Sequence, residues 1–169
     1  MQLHEVVRWI VAGLLTAVIA FAAINDIRHR KIPNWTVLAL LGLFIPWALT
    51  HAFSWDLLAL AAGVIAFAVT FGLYSAGLVG AGDSKLFSAV ALFAGLGGLG
   101  FFALATALAG GAVALAGLVA RPTRAMVMVK MRGQGDFGRG VPYGVAIALG
   151  GAVVVWGGLL GFGLPGLQR

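Results

Sequence analysis

Five acidic residues punctuate an otherwise apolar chain: Glu5, Asp26, Asp56, Asp83 and Asp136. None of the 169 residues is cysteine, and His4, His29 and His51 are dispersed, without metal-ligand spacing. Thiolate sites, imidazole-rich metal sites and cysteine nucleophiles therefore fall away, and no metal or other cofactor is expected. Ser75, Ser84 and Ser88 have no neighbouring histidine. A Ser84–Lys85 dyad fails because adjacent helical residues point apart. Carboxylate chemistry is what remains. Two carboxyl groups in contact share one proton, because both do not readily ionise together. The ionised member takes a proton from water while its partner donates one to a carbonyl oxygen or a leaving amine. That is the minimum machinery for cutting a peptide bond without metal or covalent nucleophile.

Which acids can meet depends on the elements that carry them. The chain is 62% hydrophobic and only 9% charged, with mean hydropathy +1.05. A soluble domain of this length carries roughly a quarter charged residues. The composition excludes a disordered chain and an ordinary water-soluble enzyme, leaving an all-α, polytopic membrane protein in one domain, residues 1–169. Largely uncharged stretches, with charges only near their ends, predict six transmembrane helices over about residues 6–25, 35–51, 56–79, 82–97, 99–120 and 141–162. The fourth and fifth are separated by a turn in the cluster Gly95, Gly97, Gly98 and Gly100. Pro142 falls in the first turn of the sixth, where its missing N–H costs little.

Basic residues orient these spans. Nine of the eleven lysines and arginines fall in or beside the loops after the first, third and fifth spans, with Lys85 just inside the start of the fourth. Arg8 and Arg169 lie near the termini. Basic loops stay cytoplasmic, so both termini are expected on the non-cytoplasmic side. The net charge of +6 then reads as topology, and nucleic acid is not an expected partner. A cleaved signal peptide ending at Ala20-Phe21-Ala22 is disfavoured, because cleavage would release Asp26 and the basic cluster on the wrong side.

Sidedness sorts the acids. Glu5 and Asp56 fall outside, while Asp26, Asp83 and Asp136 fall on the cytoplasmic side, across about 30 Å of hydrocarbon. Asp56 reads as a residue complementing the dipole at a helix start. Asp136 reads as a loop acid near Arg139, although Gly133-Gln134-Gly135-Asp136 repeats the spacing of Gly80-Ala81-Gly82-Asp83. Asp26 ends the first span, where an acid opposes the negative end of the dipole, so its placement needs a reason beyond solubility. Asp83 begins a short span after a glycine turn, an N-cap position held at the lipid boundary. Gly80 and Gly82 would admit an extended substrate backbone, and Tyr143 would line the cleft. Lys85 would act on Asp83 or on a lipid phosphate. Pro33 and Asn34 read as structural, with Asn34 capping the second helix. The helix ends favour Asp83 as base and Asp26 as acid, whereas the nearby Arg28 and Arg30 act in the opposite sense, so which acid serves as base stays open.

These motifs resemble those of the type IV prepilin peptidases, membrane aspartic proteases of the GxGD type. The similarity is to the short members that serve Flp-type (tight-adherence) pili. It rests on Asp26 with Arg28-His29-Arg30-Lys31-Ile32-Pro33-Asn34, on Gly80-Ala81-Gly82-Asp83-Ser84-Lys85-Leu86, and on Val141-Pro142-Tyr143-Gly144-Val145-Ala146. The resemblance implies Asp26 and Asp83 as a catalytic pair in a bacterial inner membrane. It implies a prepilin substrate, with a short basic leader and an apolar helix, cut near their junction. Longer members also methylate the new N-terminus and carry a cytoplasmic domain with cysteine pairs. This cysteine-free chain is expected to lack that activity.

Two other classes compete. A proton-coupled transporter also uses membrane acids, but near the midplane and within repeated halves. A non-catalytic pilus-assembly factor would dock partners on its basic face and would tolerate loss of either aspartate.

Overall fold

The computed structural model describes residues 2–50, 53–120 and 143–162. Among them every regular element is helical: α1 (Leu3–His29), α2 (Asn34–Ala48), α3 (Phe53–Ser75), α4 (Ala81–Ala120) and α5 (Tyr143–Leu159). Long apolar runs form helices because a helix satisfies its own backbone where water cannot. Each boundary has a local cause. At the start of α1, Gln2 and Glu5 form a reciprocal capping box. At its end Arg30 adopts a left-handed conformation and its N–H closes on the Asp26 carbonyl at 2.9 Å. α1 thus runs past Asp26, with Arg28 and His29 in the last turn, where positive charge suits the dipole. α3 stops at Gly77, whose positive φ permits the paired bonds Leu78 N–H to Leu73 and Gly77 N–H to Tyr74.

α4 is not one straight rod. Gly95 has φ 66° and ψ 174°, outside the helical region, and the chain folds back there. The rings of Phe87 and Phe102 stack with centroids 4.5 Å apart. Fifteen residues of straight helix would separate them by about 22 Å. α4 is therefore a helical hairpin, with a first arm before Gly95 and a second arm after it. The reversal uses the first glycine of the cluster, and Gly97, Gly98 and Gly100 lie within the helical second arm.

The first arm is the centre of the molecule. Leu86 and every residue from Ala89 to Ala94 are buried. Phe93 meets Phe44 and Trp47 of α2 edge-on, with both ring pairs 5.7 Å apart. α3 and α5 pack chiefly against α4, and α1 packs against α5 and α2. Small residues set these approaches: Gly63 faces Leu92, Gly150 faces Thr106, and Gly151 faces Val90. The outer surface is apolar, with Val64, Leu38 and Leu108 each about two-thirds exposed. This is the surface a lipid environment requires rather than one that water would tolerate.

Leu3–His29, Asp56–Ser75 and Ala81–Gly117 are long and apolar enough to cross a membrane. α2 and α5 are apolar but shorter, at 15 and 17 residues. The second and sixth expected spans extend to His51 and to residues 141–142, which lie outside the described residues, as do Asp136 and the basic segment 121–140.

Candidate active site

Asp26 and Asp83 come together at one end of the bundle. They are 57 positions apart in the chain, yet the charge of one acts on the other. The basic residues of the turn after α1 share this end. Asn25 ties the turn down by donating to the Lys31 carbonyl and pairing with His29 Nδ1 at 3.0 Å. Arg30 exerts a direct electrostatic pull on Asp26. At the opposite end Arg8 binds the Thr50 carbonyl at 2.7 Å and so joins the start of α1 to the end of α2.

The two acids are held differently. Asp83 is half-buried in the first turn of α4 and turns back to accept the backbone N–H of Gly80. Asp83 is therefore not the N-cap expected from the sequence but the third helical residue, and its contact is the third-residue half of a capping box, made by sequence neighbours. Asp26 is only 7% exposed, and its Oδ2 accepts the backbone N–H of Gly144 at 2.9 Å. That donor lies in the first turn of α5, whose N–H groups have no partner within the helix. A carboxylate misplaced on the dipole of α1 is thus received by the favourable end of α5.

A cavity of about 710 Å³ opens beside Asp83, between α3, both arms of α4 and the start of α5. Asp83, Thr70, Thr106 and Tyr143 bring polar atoms to its otherwise apolar wall. Asp26 is not among the lining residues; it sits against the first turn of α5. The wall near Asp83 is braced by hydroxyls. Ser84 Oγ donates to the Thr70 carbonyl at 3.1 Å, and Ser88 Oγ donates to the Ser84 carbonyl at 2.7 Å. Ser84 is thereby tied into the packing of α3 against α4. Among the described residues, no three His, Asp or Glu side chains gather as a metal ion would require.

A profile of the type IV leader peptidase family matches residues 13–115, more than half of the chain and both aspartates. The chain belongs to that family. Membership makes it a peptidase of the leader-cleaving type. No curated protein and no solved structure matches it.

The remaining expected residues of this leader peptidase are placed in different ways. Tyr143 lines the cavity. Lys85 is exposed and is not among the residues that line the cavity. Gly80 and Gly82 are filled from within the protein rather than left open. A Cβ on Gly80 would stand 2.8 Å from Asp83 Oδ2, and one on Gly82 would stand 3.2 Å from Ile32 Cβ. Pro33 ends the basic turn and occupies the N-cap of α2. Asn34 does not cap: it is the first helical residue, and Thr36 Oγ1 donates to the Pro33 carbonyl at 2.7 Å. Pro142 lies outside the described residues.

Two participants were not evident from sequence as site residues. Gly144 was visible only as part of a motif, since its partner is 118 positions away. Thr70 is a lone hydroxyl in an apolar helix, a signal easily assigned to ordinary back-bonding to Ala66.

Proposed function

We propose that this leader peptidase is an aspartic endopeptidase that removes the short basic leader of a Flp-type prepilin, using Asp26 and Asp83 to activate water. The observation that carries the reading is the convergence of two acids from distant helices at the basic end of an apolar bundle. The prepilin's apolar helix would lie in the cavity between α3 and the second arm of α4, which leads to Asp83. Its leader would remain in the cytoplasm, with the junction between leader and helix at the pair.

In the reaction one proton is shared between the carboxyl groups. The ionised member draws a proton from water, whose oxygen attacks the scissile carbonyl carbon, while the protonated member donates to the carbonyl oxygen. Collapse of the tetrahedral intermediate breaks the C–N bond, and the leaving amine takes the proton gained from water. Excluding bulk water strengthens every charge interaction in this sequence.

The same reading places the protein in a bacterial inner membrane as a single six-span domain with both termini outside. The fold-back at Gly95 supports it by dividing α4 into two arms. No methyltransferase activity belongs to it. The test is co-expression with a candidate prepilin. Wild type should release the leader, whereas Asp26→Asn and Asp83→Asn should not; normal processing by either variant rejects the pair and favours an assembly role.

A further inference from the structure

The matched family segment ends at residue 115, so it assigns nothing to α5. Yet α5 supplies a backbone hydrogen bond to Asp26, from the Gly144 N–H to Oδ2. Three observations make that contact more than incidental. First, the donor is a helix N-terminal amide with no competing intrahelical acceptor, so the carboxylate is its natural partner. Second, the approach is closed to side chains: a Cβ on Gly144 would stand 3.0 Å from both Asp26 Cβ and Oδ2, and 3.3 Å from Cγ. Third, α5 is locked to α1 along its length. Trp156 Nε1 donates to Thr16 Oγ1 at 2.9 Å, and the Trp9 and Trp156 rings lie 5.7 Å apart. Gly151 seats α5 against Val90 and Ile19.

We infer that Gly144 is a positioning residue whose backbone N–H fixes the Asp26 carboxyl group relative to Asp83, and that its lack of a side chain is required for that geometry. The inference rests on the reading of Asp26 and Asp83 as the catalytic pair. A methyl group at 144 displaces the buried carboxyl group, because α1 and α5 are pinned elsewhere and do not separate freely. The contacts call for a shift of a few tenths of an ångström, and since misplacement of a reacting group by about 1 Å costs on the order of 10²-fold in rate, that value is the upper bound of the loss.

The test compares Gly144→Ala with Gly151→Ala, two crowded positions on one helix of which only the first faces Asp26. Both full-length variants are placed in nanodiscs and assayed with a synthetic prepilin bearing a basic leader and an apolar helix. Gly144→Ala should lower kcat per folded molecule by between about tenfold and 10²-fold and leave KM within about twofold, since the loss falls on the transition state. Gly151→Ala should lower thermal stability and keep kcat per folded molecule. Unchanged kcat in Gly144→Ala, an equal fall in both variants, or a change in KM alone overturns the inference. Amide exchange decides the matter where Gly144→Ala does not fold: the Gly144 amide should be protected in wild type and released in Asp26→Ala. Equal exchange in the two proteins overturns it. Asp26→Asn in the same assay separates the two claims. An active Asp26→Asn sinks the catalytic pair itself, whereas an inactive one beside an active Gly144→Ala sinks only the positioning role.

Discussion

Asp26 and Asp83 carry the same functional group to the same end of the bundle by opposite means. Asp83 stands at the beginning of a helix and is satisfied by Gly80, three residues away. Asp26 stands at the end of a helix, on the wrong side of its dipole, and is satisfied by Gly144 from another helix. One site is made by local sequence and the other by tertiary packing. A locally capped acid keeps its place whenever its helix forms, but Asp26 keeps its place only when α5 docks. The difference predicts that the two halves of the pair respond unequally to changes around them.

The largest effects come from the carboxyl groups themselves. Asp26→Asn and Asp83→Asn should each lower prepilin cleavage by about 10²–10⁴-fold, the range for loss of general acid–base catalysis. Quantifying leader release from purified protein checks this, and near-normal release by either variant breaks the symmetry of their roles.

A smaller effect is expected at Gly80. Its added Cβ meets only the mobile end of the Asp83 side chain, at 2.8 Å, whereas one at Gly144 meets the root of Asp26 as well. Gly80→Ala should therefore lower kcat by about tenfold, less than Gly144→Ala. A reversed order in the same assay would show that the local site is the more fragile one. Ser84→Ala removes the bond to the Thr70 carbonyl and should cost about 0.6–1 kcal/mol of stability with little change in kcat. Thermal unfolding in detergent measures it. Exposed Lys85 completes the series: Lys85→Gln should leave cleavage within about twofold. A larger loss would give the lysine a role in the reaction.

What the sequence disclosed follows the same division between local and distant causes. The glycine cluster announced the fold-back, because only a residue without a side chain readily takes the conformation seen at Gly95. The run Gly80-Ala81-Gly82-Asp83 announced a helix start with an acid in its first turn, since capping is written within four residues. Asp26 was legible as an anomaly but not as a solved one. Its compensating amide belongs to Gly144, and no periodicity connects positions so far apart. The glycines beside Asp83 read from sequence as room for a substrate backbone. The carboxyl group of Asp83 and the side chain of Ile32 occupy that room. Asn34 misled for a local reason: Pro33 already fixes the extended conformation of an N-cap, which leaves Asn34 to begin the helix.

The central claim is that the two acids act as one unit, and a double-variant cycle tests it most directly. Cleavage of a basic-leader prepilin would be measured for wild type, Asp26→Asn, Asp83→Asn and the combined variant in the same bilayer. A shared proton predicts that the combined variant is no slower than the slower single one, because either change already disables the pair. Losses that multiply, or a single variant that turns over at the wild-type rate, would contradict it.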